Sequence, residues 1–254
     1  MTRQQLKDAA ALARSKGRRA QGRFLVEGVR SVEAAVAAGA PLVAVLATEA
    51  ALASDRVAAL ADRVVVTPVP TRDLERVGDA RSSQGVLAIA ESVTTDAVPE
   101  TPGPVLLLDG VQDPGNVGAL VRTAAWFGVG TVVADTDSAD FESPKAVRAS
   151  MGGIWDVSLV RVPLLAPVLD ALINAGADCW GADLGGTPVG AWAPGASSAL
   201  VMGSEAHGLS EEVAARVRSS GGLVHIGRPG AGAGVESLNV AVAGGVLLAR
   251  WLGR

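Results

Sequence analysis

Five polar residues in the second half of the chain, Asn116, Arg122, Glu205, Ser237 and Asn239, stand in or beside three glycine-bearing turns that each follow an aliphatic run. The turns read DGVQDPGNVGALVRTA (109–124), VMGSEAHGLSEE (201–212) and GAGAGVESLNVAVA (230–243). Amides, a guanidinium, a carboxylate and a hydroxyl beside backbone bared by glycine are groups that hold and orient a polar ligand. Asn116 sits in its turn and Arg122 six positions on, inside a helix-like segment, so the two share a crevice only if the turn folds back. Glu205 lies between Gly203 and Gly208, where the main chain can approach a ligand closely. Ser237 and Asn239 stand at a helix start, and Ser237 suits the N-cap. Taken singly, each turn fits ordinary helix capping; three in one half-chain point to a common site.

The third turn also invites a nucleotide-loop reading, because GGLVHIG (221–227) leads through glycines into the helix-like SLNVAVAGGVLLARWLG. The spacing fails. A G-x-G-x-x-G register begun at Gly230 meets Val235, one begun at Gly232 meets Ser237, and no Gly-Lys-Ser/Thr follows. A nicotinamide enzyme would rest on this loop alone.

The elements that must position these turns alternate. VLLLDGV (105–111) is a continuous apolar run of the parallel-sheet kind, followed by the polar turn QDPGN and the helix-like VGALVRTAAWFG, and similar strand and helix signals repeat to the end of the chain. A mostly parallel sheet covered by helices on both faces is the expected architecture, with its polar turns at the carboxyl ends of the strands. Residues 24–92 read as a smaller alternating α/β unit, and VTTDAVPETPGPV (93–105) as a Pro/Thr/Gly-rich linker. The expected division is 1–95, a linker at 96–104, and 105–254. Trp126 and Phe127 are expected to pack in the core, and His207 and His225 to serve structure.

With 254 residues, 49% of them hydrophobic, the chain can bury a substantial core, although it has no tyrosine. Its net charge of −4 conceals an asymmetry: residues 1–30 hold eight Lys/Arg against two acids. That segment reads either as a solvated basic helix or as an arm that grips a nucleic-acid backbone through phosphate contacts, with Arg14, Lys16, Arg18, Arg19 and Arg23 as its RNA-binding residues. Cys179, the single cysteine, has no disulfide partner and reads as apolar filler; no metal cluster is expected. The sequence has no span of membrane length and no secretory pattern, so a cytoplasmic location is expected.

Together and in this order, DPGNVGALVRTAAWFGV (113–129), VMGSEAHGLS (201–210) and ESLNVAVA (236–243) resemble the three signature motifs of the SpoU (TrmH) branch of the SPOUT superfamily. KAVRAS (145–150) is also similar. These are RNA ribose 2′-O-methyltransferases that use S-adenosylmethionine. The resemblance covers residues 104–254. GRFLVEGVRSVEAAVAAG (22–39) and QGVLAIA (84–90) resemble the small α/β RNA-binding substrate domain that many members carry in front.

The resemblance implies an α/β-knot, a deep trefoil knot that makes the cofactor pocket, and a homodimer with sites at the subunit interface. It implies that Gly203, Ile226 and Leu238 line the S-adenosylmethionine pocket and that Arg122, Asn116, Glu205, Ser237 and Asn239 form the catalytic polar site. The arginine at the position of Arg122 is assigned in the family to activating the 2′-hydroxyl. A guanidinium deprotonates only above about pH 12, so holding a phosphate and stabilising oxyanion charge is the chemically easier role. Glu205 would orient Arg122 or complement the sulfonium. Ribosomal RNA is the preferred substrate because the front unit resembles that of ribosomal members. The alternatives are a transfer-RNA ribose methyltransferase and a non-catalytic dimeric RNA-binding protein. The sequence departs from the family in its long glycine-rich loop GRPGAGAG (227–234) and in Gly227, where proline is common.

Overall fold

The computed structural model describes residues 1–78, 84–98, 103–227 and 237–253. Two sheets organise them. The chain begins with α1 (Arg3–Ala11), whose N-terminus is closed by reciprocal hydrogen bonds between Thr2 and Gln5. There follow α2 (Ser15–Gln21), β1 (Arg23–Glu27), α3 (Val29–Ala37), β2 (Leu42–Ala47), α4 (Glu49–Leu52), α5 (Asp55–Ala61), β3 (Val66–Pro68), α6 (Thr71–Val77) and β4 (Val86–Glu91). The four strands lie in the order β1-β4-β2-β3, with β4 antiparallel to both neighbours and β2 parallel to β3.

The second unit continues with β5 (Thr94–Thr95), β6 (Val105–Asp109), α7 (Pro114–Trp126), β7 (Thr131–Ala134), α8 (Pro144–Ser150), a 3-10 turn (Gly153–Trp155) and β8 (Ser158–Arg161). It closes with α9 (Ala166–Asn174), β9 (Cys179–Pro188), β10 (Ala199–Gly203), α10 (Glu211–Ser219), β11 (Gly222–His225) and α11 (Val240–Leu252). Its seven strands are ordered β11-β9-β10-β6-β7-β8-β5, and every pairing is parallel. The expected parallel sheet is present. Thr94 and Thr95, expected in the first unit, pair with Leu159 and Val160 and so belong to the second sheet. The connection from β11 to α11 that a knot would involve includes residues 228–236, outside the described residues, as does most of the glycine-rich loop.

The unbroken apolar runs arise because both faces are buried. Along β6, Leu106 and Leu108 join the core beneath α7 and α11, whereas Val105 and Leu107 join the core beneath α9 and α10. Along β10, Leu200 and Met202 alternate with Ala199 and Val201 in the same way. Cys179 is fully buried in the second of these cores, and burial pushes its thiol up to about 11, which suits filler rather than a nucleophile.

α7 and α11 run side by side and parallel: Asn239 meets Asn116, Gly244 lies against Leu120 and Gly245 near Thr123. A Cβ at Gly244 would stand 2.4 Å from a Leu120 methyl, so the glycine permits the close approach. Trp126 corrects an expectation. It is 83% exposed rather than packed in the core, and the next residue, Phe127, packs inward instead. α7 buries Val117, Leu120, Val121 and Ala124, which leaves Arg122 and Trp126, four positions apart, on its outer face.

The two units share one apolar cluster, in which Phe24 of β1 stacks on Trp155 at 5.7 Å. The loop before α8 adds polar ties. Asp140 accepts from Arg18 at 2.9 and 2.6 Å, and Glu142 accepts from the Ser92 hydroxyl, the Val93 and Thr94 amides and the Thr94 hydroxyl. Glu27 pairs with Arg148 of α8.

Candidate functional site

In the second sheet the chain passes from β6 outward to β7 and β8, then returns on the far side with β9, β10 and β11. The order therefore switches between β6 and β10, and the crevice beyond their carboxyl ends is where a sheet of this kind receives ligands. All three turns singled out in the sequence end there.

α7 opens with Asp113 as N-cap, its carboxylate accepting from the Asn116 N–H at 3.0 Å, and Pro114 takes the first helical position, where a missing N–H costs nothing. Lys145 of α8 closes on the same carboxylate at 2.6 Å, and this partner holds Asp113 below the usual carboxylate range. Asn116 thus lies in the first helical turn, not in the loop before it. Its side chain joins the other two turns. Asn116 Nδ2 donates to Glu205 Oε1, and Asn239 Nδ2 donates to Asn116 Oδ1 at 3.0 Å. Asn239 Oδ1 accepts from Ala241 N and Val242 N, capping α11. The cap is therefore Asn239 and not Ser237. The latter is exposed and makes no hydrogen bond among the described residues.

The second turn folds back on itself through paired Ser204 and Gly208 main-chain bonds, each 2.9 Å. A Cβ on Gly203 would stand 2.3 Å from the Gly208 carbonyl carbon, so this strand end accepts only glycine. His207 is exposed and donates its main-chain N–H to Ser204 Oγ. His225 ends β11 with Nδ1 2.9 Å from Gly186 O, a structural contact.

Arg122 does not join this network. Six residues turn a helix by about 600°, leaving Arg122 about 120° round from Asn116 and about 9 Å along the axis. It is exposed and makes no hydrogen bond or ion pair among the described residues. Within this chain Glu205 accepts from Asn116 and makes no ion pair with Arg122 among the described residues. Of the expected cofactor residues, Gly203 is buried, Ile226 half-buried and Leu238 47% exposed. Neither the N–H nor the C=O of Ile226 or Leu238 makes a hydrogen bond among the described residues.

Two carboxylates went unnoticed in the sequence. Asp109 ends β6, is 6% exposed, and accepts from Ser210 N at 2.6 Å, tying the first turn to the second; burial raises its carboxyl above the ordinary range. Asp135 accepts from Gly110 and Ser138 and fixes the left-handed Gly110, φ 67°. Their signal was an acid ending an aliphatic run, LLLD and VVAD, which reads as ordinary strand punctuation.

The basic segment divides. Arg14, Lys16 and Arg19 are exposed and Arg23 half-exposed, but Arg18 is only 5% exposed. Its guanidinium is used by Asp140 and by the Leu12 and Ala13 carbonyls, so it is a structural tie and not a phosphate contact.

Residues 103–249 match the SpoU rRNA Methylase family, and residues 3–88 the MRM3-like substrate binding domain. Among curated relatives, the 23S rRNA (guanosine(2553)-2′-O)-methyltransferase RlmP of Bacillus subtilis is 30% identical over 96% of this chain and 94% of its own. The 23S rRNA (guanosine-2′-O-)-methyltransferase RlmB of Xanthomonas axonopodis is 35% identical over 72% and 75%. Among solved structures, a TrmH-family protein from Porphyromonas gingivalis superposes with TM-score 0.84 at 33% identity, covering 99% of this chain and 98% of that one. The SpoU methyltransferase AviRb of Streptomyces viridochromogenes, in complex with AdoMet, gives 0.81 at 28%, covering 98% and 97%. With its three turns joined at the switch point of a parallel sheet and this family matched across more than half its length, the chain belongs to the SpoU rRNA methylase family of methyltransferases.

Proposed function

We propose that the protein transfers a methyl group from S-adenosylmethionine to a ribose 2′-hydroxyl of ribosomal RNA, in the cytoplasm, as a homodimer. The observation that carries this reading is the chain of side-chain hydrogen bonds from Asn239 through Asn116 to Glu205, which links the three motif turns at one crevice. A protein that only bound RNA would have no need of it. The relatives named for ribose methylation of ribosomal RNA support the substrate class.

The residues at the crevice support cofactor binding there. Gly203 has no side chain, Leu238 and Ile226 offer apolar surface, and their main-chain groups are uncommitted among the described residues. These three residues would hold it. The cofactor supplies a sulfonium-activated methyl group, so alignment and removal of the hydroxyl proton fall to the protein.

Asn116 is held at both ends of its amide and presents a fixed orientation to ligands. Glu205 offers a carboxylate that complements a cationic sulfonium and can accept the hydroxyl proton. Ser237, exposed beside Asn239, is placed to contact substrate. The Arg122 guanidinium stabilises the developing oxyanion or the adjacent phosphate. Since it lies off the face of Asn116, it serves the network of the second protomer. Trp126, Val242 and Val246, exposed on α7 and α11, form the apolar surface through which two copies join. The first unit, up to β4, acts as the RNA-binding unit, with Arg14, Lys16, Arg19 and Arg23 on backbone phosphates.

Calorimetric titration with S-adenosylmethionine, with NAD as control, followed by transfer of labelled methyl to ribosomal RNA lacking the modification, tests the reading. Absence of cofactor binding overturns it.

A further inference from the structure

A cleft of about 700 Å³ lies between the two units, away from the three motif turns, with Arg30 and Ser31 of α3, Gln84, Glu75, and Arg148 and Met151 at α8 on its walls. α3 begins there at Gly28, φ 91°, with no side-chain cap. The Val29 N–H donates to Gln84 Oε1 at 2.9 Å, but the Arg30 and Ser31 N–H groups have no acceptor among the described residues. Unsatisfied amides at a helix start attract anions. The independent observation is Ser31. Its side chain belongs to a residue only 7% exposed that lines the cleft, yet its hydroxyl has no hydrogen-bond partner among the described residues. The side-chain atoms sealed from solvent without a partner among the described residues are the Trp180 and Trp192 indole nitrogens, so Ser31 Oγ opens onto the cleft, where a ligand can reach it. Arg30, exposed beside it, makes no ion pair among the described residues.

We propose that this cleft binds one phosphodiester of the substrate RNA, next to the nucleotide that is methylated. The Arg30 and Ser31 amides, the Ser31 hydroxyl and the Arg30 guanidinium hold the phosphate oxygens, and Met151 offers apolar contact to the attached nucleoside. Arg148 is paired with Glu27 and Arg56 with Glu33, and Glu75 shares the wall, so the cleft carries little net positive charge. That suits a singly charged phosphodiester within a chain better than a terminal phosphate dianion. The position fits as well. Lys145 at the start of α8 pairs with Asp113, the cap beside Asn116, and Arg148, one turn on, reaches the cleft. A helix of seven residues is about 10 Å long, so RNA lying across α8 can reach both places.

The inference rests on the RNA methyltransferase reading but has its own test. The Arg30→Ala/Ser31→Ala variant of the full chain removes both side chains without breaking a hydrogen bond seen in the fold, and thermal melting checks that it folds. Binding of transcribed fragments of large-subunit ribosomal RNA, followed by fluorescence anisotropy across a salt series, is expected to weaken about tenfold. The slope of log K against log salt should fall by about one. S-adenosylmethionine affinity should not move, and in turnover the RNA KM should rise while kcat holds. Unchanged RNA affinity and slope overturn the proposal. So does adenosine 5′-monophosphate binding to the wild type as tightly as RNA and being lost in the variant, which would make a free nucleotide the ligand. A wild type that binds RNA in this Arg30-dependent way but transfers no methyl group supports the cleft and defeats the enzymatic reading, so the two failures are distinct.

Discussion

The two ends of α7 differ in how completely the chain satisfies them. At the N-terminal end, Asp113, Asn116, Glu205 and Asn239 meet each other, Lys145 and the amides of two helix starts. Farther along the same helix, Arg122 and Trp126 meet nothing polar among the described residues, and the indole stands 83% exposed. An indole is among the side chains that gain most from burial, and a guanidinium with no partner offers up to five donors. The contrast separates a region complete within one protomer from a region completed by something else, which we assign to a second copy and to RNA.

Removing the arginine is the strongest way to break that contrast. Arg122→Ala should lower kcat by about 10²–10³, the usual loss when one oxyanion donor is removed. Cofactor affinity measured by calorimetry should stay constant, because Arg122 makes no hydrogen bond to Gly203, Ile226 or Leu238 among the described residues. Weakened cofactor binding would place Arg122 in the finished region instead. Trp126→Glu should act next most strongly. A charge in the apolar surface should convert a dimer to monomers in sedimentation velocity, and activity should fall with it if Arg122 serves the other protomer. Monomers of full activity would confine the site to one chain.

At the finished end the effects are smaller and of another kind. Asn239→Ala deletes the α11 cap, worth about 1 kcal/mol, and releases the Asn116 amide. Tm should fall by a few degrees and cofactor affinity with it, whereas Ser237→Ala should leave Tm unmoved, since Ser237 caps nothing. Equal losses of Tm in the two variants would restore Ser237 as the cap.

Legibility in the sequence follows the range of the interactions. The parallel sheet could be read because strands buried on both faces must be apolar throughout, as in VLLLD and ALVMG. The three turns could be read because glycine, asparagine and proline mark local backbone demands. The meeting of Asn116 with Glu205 and Asn239 spans 89 and 123 residues and leaves no local trace. The same holds for Arg18. Its neighbours Lys16 and Arg19 suggest a solvated basic arm, and only Asp140, 122 residues away, makes it a buried tie. Trp126 was misread because an apolar side chain in a helix does not announce its face, and α7 buries the face of Val117, Leu120, Val121 and Ala124 instead.

Asp109→Asn tests how finished the satisfied end is. The Asp109 carboxyl is raised chiefly by burial, against the opposing hydrogen bond from Ser210 N, with Asp135 and Asp137 raising it further. A carboxyl raised in the fold binds protons more tightly there than in the unfolded chain. Its contribution to stability is therefore full below the unfolded value near 3.9 and is lost as pH rises through the higher folded value. Above that window the ionised, buried carboxylate is a liability that an amide would not share, while an asparagine oxygen can still accept from Ser210 N–H. The variant should consequently melt slightly above the wild type at pH 7, and the difference should vanish in the acid range where Asp109 is protonated in both states. A wild type more stable than the variant at pH 7 would mean that the ionised Asp109 is compensated by a partner in solution, and that this end of the site is held by more than the chain's own Ser210.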